Sequence, residues 1–150
     1  MRMLKLAGIV SSLVAALHVF IIFRGGPAYR YFGAGERMAR LAEQGSIRPA
    51  LVTAVLVFIF AAWAAYAFSG AGMLPRAPFL RTGLILIGLV YVIRGVLLGP
   101  QLLWWFEGYR SAVPVRQLVF SLAALVTGVV YLEGTRLAWA RLGPRHGNEG

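Results

Sequence analysis

Four stretches of this chain run for about twenty residues with hardly a charged side chain, the length a helix needs to cross a hydrocarbon layer of roughly 30 Å. They cover about residues 4–23, 49–68, 79–98 and 115–132, most of the 150-residue chain. In hydrocarbon a backbone N–H or C=O cannot turn to water, so runs of this length predict helices that satisfy their own hydrogen bonds. Breakers mark the ends. Arg24, Gly25, Gly26 and Pro27 follow the first run, Pro49 opens the second, Ser69, Gly70 and Gly72 follow it, and Pro75 and Pro78 precede the third. Gly99 and Pro100 are expected to end the third, and Pro114 precedes the fourth. The fold class that follows is all-α: an integral membrane four-helix bundle of four transmembrane helices, a single transmembrane domain over residues 1–150 with a polar tail at 143–150.

Composition supports this. Charged residues are 13% of the chain, roughly half the usual share of about 25%, too few to clothe a water-facing surface. Arg2 and Lys5, with Val14 and Ala16 behind them, also fit a secretory signal. The apolar run continues through Leu17 to Phe23 with no polar stretch before its end, so it is read as an uncleaved span. The absence of cysteine excludes a disulfide framework, a thiolate metal site and an iron–sulfur cluster.

Fifteen basic residues against five acidic ones give a net charge of +10. Most of the cations flank apolar runs, where they anchor helix ends to headgroups, so no nucleic-acid partner is expected. Fourteen of the fifteen are arginine, a bias that resembles GC-rich bacterial coding and suggests the inner (cytoplasmic) membrane of a bacterium, crossed in several passes. Orientation is not encoded by loop charge. Arg2, Lys5, Arg76, Arg81, Arg136, Arg141 and Arg145 fall on the side of the termini and the second loop; Arg24, Arg30, Arg37, Arg40, Arg48, Arg110 and Arg116 fall on the other, seven each. The tie leaves orientation to the first helix or to a partner, or else permits a dual-topology antiparallel dimer.

The loop from Arg24 to Arg48 contains a short amphipathic interfacial helix at about 34–44. Glu36 and Arg40 lie four apart on it, Ala34, Met38, Leu41 and Ala42 share a face, and Gly45 ends it. Gly33 and Gly35 read as a turn rather than an anion loop. The segment YRYFGAGERMARLAEQGS followed by a helix resembles small bacterial four-helix membrane proteins, a resemblance that implies no activity. Four-span proteins of the multidrug-resistance type would want an acidic residue inside the first span, where this chain has His18.

Ionisable side chains inside a span are costly, which makes His18 and Arg94 functional candidates. Both lie roughly 6–8 Å inside the boundary on the side of the first and third loops, and Thr53 and Gln117 share that depth. Stripes of small residues, Gly8, Ser11 and Ala15 beside His18, Gly88, Gly95 and Gly99 beside Arg94, and Ser121, Ala124, Gly128 and Tyr131 after Gln117, suit close helix contact. Tyr91 lies a turn from Arg94. Glu36 and Glu107 are carboxylates that could close over this level, Glu133 is interfacial, and Trp104, Trp105 and Tyr109 form an aromatic belt. The bland readings are a packing hydrogen bond for His18 and snorkelling for Arg94.

These residues suggest a small polytopic protein that binds or moves an amphiphilic or anionic ligand through a polar cluster at one leaflet, with His18, Arg94, Thr53, Gln117, Glu36 and Tyr91 lining it. No cofactor is predicted, though a bound lipid or quinone fits the chemistry. Besides the bilayer, the partners to consider are a homodimer or a larger membrane complex. Three alternatives stand: an accessory or structural subunit of such a complex, an integral-membrane enzyme using His18, and a dual-topology dimeric transporter or channel. Against the enzyme, the chain carries no HExxH, GxSxG, Walker loop or intramembrane carboxylate pair. Bis-histidine haem ligation would need a second intramembrane histidine, and His146 is in the tail.

Because the chain has no native cysteine, single probes report topology cleanly. Gln44→Cys and Leu74→Cys, treated in intact cells with a membrane-impermeant maleimide, should give labelling of one variant and not the other. Equal labelling of both would establish a mixed orientation.

Overall fold

The structure, a computed structural model, describes residues 1–109 and 113–143. Arg110, Arg145, His146 and all of the predicted polar tail after residue 143 lie outside them. Among the described residues all regular structure is helical: α1 (Arg2–Arg24), α2 (Gly26–Tyr31), α3 (Glu36–Glu43), α4 (Arg48–Gly70), α5 (Leu80–Val96), α6 (Leu98–Phe106) and α7 (Val115–Leu137). Four segments are long and apolar enough to cross a membrane: α1, α4, Leu80–Phe106, which joins α5 to α6, and α7. Large apolar side chains such as Leu13, Phe58, Ile93 and Val126 stand exposed along them, surface that only a lipid solvent tolerates on this scale. The chain is a multi-pass membrane protein.

Two expected stops are not stops. Gly99 and Pro100 lie in the first turn of α6, where a missing N–H costs nothing because first-turn donors have no intrahelical partner. The proline ring does conflict with the carbonyl four residues back, that of Val96, and the helix accordingly breaks at Leu97 and resumes, Gln101 N donating to Leu97 O at 3.2 Å. Gly25, at φ +66°, turns the chain after α1, but Pro27 then occupies the first turn of a new helix, α2. The last span also continues beyond Leu132, to Leu137.

The chain divides into two compact units, Ile9–Ala64 and Met1–Gly8 with Ala65–Gly150, so that α1 and α4 contribute to both. In the first unit Ile21, Ala28, Tyr29 and Ala39 form a small core, with Leu17, Phe32, Met38 and Ala42 packed around it. The predicted helix of the first loop is present as α3, starting at Glu36 so that the exposed Ala34 lies outside it; Ala39 is buried in this core with Met38 and Ala42 packed against it, while Arg37 and Arg40 stay outside. Gly33 and Gly45 terminate α2 and α3 in the left-handed conformation, with Ala34 N bonded to Tyr29 O and Ser46 N to Leu41 O. Gly33 is thus a helix terminator, as the turn reading expected.

In the second unit α5 and α7 meet backbone to backbone. A Cβ on Gly95 would lie 2.5 Å from the Leu125 Cα and N, and one on Gly128 would lie 2.7 Å from Val92 N and 2.8 Å from Gly88 O. Helices in lipid gain little from the hydrophobic effect between them, so this close approach is how they acquire dispersion contacts. Of the small residues predicted to make such contacts, Gly88, Gly95, Gly128 and the buried Ser121 do; Gly99 faces open space. It lies beyond the break at Leu97, in the first turn of α6, where nothing comes within 4 Å of an added Cβ. The connection from α4 to α5 is held by Ser69, whose hydroxyl donates to Pro75 O at 2.9 Å and accepts from Ala77 N at 2.8 Å.

Gly95→Ala should therefore destabilise the protein by about 1–3 kcal/mol through overpacking against the α7 backbone. Gly99→Ala should change stability by no more than about 0.5 kcal/mol. Reversible unfolding of both variants in mixed micelles checks the contrast, which equal effects would remove.

Candidate functional site

Arg94 is an exposed residue in the last turn of α5, among exposed apolar neighbours such as Ile93 and Leu97. Its NH1 donates to Ser121 Oγ at 3.0 Å, and Ser121 in turn donates to Gln101 Oε1 at 2.8 Å. Ser121 is on the buried face of α7, held against α5 by the glycine contact, and Gln101 is on α6 just beyond the break. Among the described residues no carboxylate pairs with Arg94, so its charge is held by neutral groups alone.

Hydrogen-bond direction gives this trio its chemical character. Ser121 donates its one proton to the glutamine carbonyl and accepts a hydrogen bond from Arg94. The Gln101 amide nitrogen, with two N–H groups, and the remaining guanidinium N–H groups are what it presents outward. The result is a donor-rich surface carrying one positive charge, which suits a carboxylate or phosphate.

The structure places the other predicted residues as follows. Tyr91 is buried and stacks on Tyr131, ring centroids 5.7 Å apart, beneath the trio on the same helix pair. Gln117 is half-buried on α7, one turn before Ser121. His18, Thr53 and Glu36 belong to the unit Ile9–Ala64. The His18 Nδ1 lies 2.7 Å from Val14 O, which can only accept, so the proton is on Nδ1; the ring packs at 4.9 Å from that of Phe60. Thr53 is buried, 2.8 Å from Pro49 O and 3.2 Å from the Tyr29 hydroxyl. With its single proton committed to the carbonyl, Thr53 accepts from Tyr29, and the pair ties α4 to the core under α2.

Glu36 is taken up in an ion network outside the spans. Arg30 Nε and NH2 meet the two Glu36 oxygens at 2.8 and 3.1 Å, and its NH1 and NH2 meet those of Glu43, the latter at 2.8 Å. Arg40 adds the predicted four-residue pair at 3.2 Å. One guanidinium thus grips two carboxylates, each two-pronged, and clips α2 to α3. Glu43 reaches it across Gly26, where a Cβ would come within 2.6 Å of the glutamate Cγ. Hydrogen bonds from Arg30 hold both carboxyls below their usual range, and those carboxylates raise the arginine above its own.

Sequence reasoning missed Gln101, Arg30 and Glu43. Gln101 lies seven residues after Arg94, two helical turns on the same face, a signal hidden by reading Gly99–Pro100 as the end of the span. No protein-family model, curated protein or solved structure matches this chain.

The lowered carboxyl pKa values fix the sign of a pH effect. The network stabilises the α2–α3 clip in full above the unfolded glutamate value of about 4.3 and loses that contribution as pH falls through the lower folded values. Carboxyl carbon-13 titration, assigned with Glu36→Gln and Glu43→Gln, should place both midpoints below about 4.3. Midpoints at or above it would mean that the ion network does not form in solution.

Proposed function

We propose that this protein binds an amphiphile with an anionic head in the inner membrane of a bacterium, holding the head with Arg94 and Gln101 at one leaflet. The observation that carries the reading is a guanidinium on a membrane-spanning helix whose described partner is the uncharged Ser121, itself bonded to the uncharged Gln101. An unneutralised cation at a lipid surface is costly, and an anionic headgroup relieves that cost. Ser121 orients the site without touching the ligand, since its hydroxyl is used in aligning the other two. The exposed Ile93, Leu97 and Leu122 beside the trio offer an apolar wall for the tail. Of the residues first considered, this reading retains Arg94 as the charged holder and Tyr91 as support beneath it. The neutral partner is Gln101, while Thr53 and Glu36 serve structure in their own unit.

Native mass spectrometry of the gently solubilised protein tests this reading. The wild type should carry a bound acidic lipid or other acidic amphiphile, and Arg94→Gln should weaken its retention about tenfold or more, with Gln101→Leu lowering it less. Helix content and thermal unfolding should be unchanged in Arg94→Gln. Equal retention by the wild type and Arg94→Gln overturns the assignment, and a stoichiometric protein partner with no bound amphiphile supports the accessory-subunit reading in its place.

A further inference from the structure

A cavity of about 470 Å³ lined by two arginines opens in the unit formed by Met1–Gly8 and Ala65–Gly150, where the α4–α5 connection meets the turn that follows α7. Arg76, Phe79, Arg81 and Thr82 line it. Arg76 NH2 donates to the carbonyls of Leu142 and Gly143. Arg81 NH2 donates to the Trp139 carbonyl, and its guanidinium lies over the Trp139 ring, 4.3 Å from the centroid. These contacts occupy one nitrogen of each guanidinium and neutralise neither charge, since carbonyls and a ring face carry none. Arg81 Nε is buried without a hydrogen-bond partner among the described residues, an unmet donor that favours turning toward an incoming acceptor. Each guanidinium has five N–H groups, and most of these donors have no acceptor among the described residues, with the exposed Thr82 hydroxyl beside them.

Phe79 supplies the second observation. It is 85% exposed and the only described residue other than glycine with positive φ, at +48°. An aromatic residue held in that conformation is strained, and such strain persists where it serves a site. Its effect is to project an apolar ring outward between two arginines at the mouth of a membrane span. Guanidiniums beside an exposed apolar ring match a headgroup layer, where phosphates border the acyl region. The dipole of α5, which begins at Leu80 with no side-chain cap, adds potential of the same sign.

We propose that this cavity binds a phosphate group, carried by a phospholipid headgroup or by a soluble phosphate compound, through Arg76 and Arg81. The site is separate from the Arg94 trio and does not depend on that assignment.

Trp139 provides the readout, because a phosphate that draws Arg81 from its ring changes its emission. In the full-length chain carrying Trp63→Phe, Trp104→Phe and Trp105→Phe, Trp139 is the sole tryptophan. Inorganic phosphate is titrated into the protein in neutral micelles, with chloride at matched ionic strength as control. Separately, the protein is reconstituted in phosphatidylcholine vesicles with increasing phosphatidylglycerol. A saturable change with either ligand is expected, and Arg76→Gln, which leaves the Trp139 contact in place, should weaken it about tenfold. Arg76→Lys should restore part of the loss and Arg94→Gln should have no effect. A response confined to phosphatidylglycerol and weakened by Phe79→Ser identifies the headgroup as the source, and a response to inorganic phosphate in micelles identifies a soluble one. No saturable response to either ligand, an equal response to chloride, or one untouched by Arg76→Gln would overturn the proposal.

Discussion

The approach of α5 to α7 through Gly88, Gly95 and Gly128 is the contact on which the rest of that unit depends. Two helices in hydrocarbon have no water to exclude, and what they gain by meeting is dispersion and a few hydrogen bonds, both of which fall off steeply with distance. Removing the side chain where the backbones cross brings Ser121 within hydrogen-bond reach of Arg94 and lets Tyr91 lie flat on Tyr131. A polar site inside an apolar helix pair is thus a consequence of glycines that carry no chemistry themselves.

Charge is distributed by a second rule. The chain has only five acidic residues, and Glu36, Glu43 and Glu133 are paired with Arg30, Arg40 or Arg136 near or beyond the span ends. Arg30, outside the spans, is neutralised by two of them. Arg94, Arg76 and Arg81 are held instead by a serine, by backbone carbonyls and by an aromatic face. Neutral partners fix the direction of a guanidinium without cancelling its charge, which leaves it directed and still attractive to an anion. The anionic headgroups of a bilayer are complementary to such a guanidinium.

A proline can be read in two ways, and the difference shapes the site. Taken as a terminator, Pro100 ends the third span and consigns Gln101 to a loop. In the folded chain it is a first-turn residue that breaks the ladder at Leu97 and permits a further nine-residue helix. The same chemistry, a missing N–H and a ring opposed to the carbonyl four residues back, underlies both outcomes. What decides between them is whether the following residues have a helix to join, and Leu102 through Phe106 are apolar enough to continue one.

The sequence by itself determined the four apolar spans, the approximate ends of the first two, the helix between those two, and Arg94 as the costly cation of the third. These depend on length, hydropathy and residue spacing, which are local properties written directly in the order of residues. The tertiary structure decided the company each polar residue keeps: Ser121 and Gln101 for Arg94, Phe60 for His18, Tyr29 for Thr53, and Arg30 for Glu36. Such pairings depend on the rotation of each helix about its axis and on where a ladder breaks. A change of one residue in phase turns a side chain by about 100°, so these choices are settled only when backbones pack against one another.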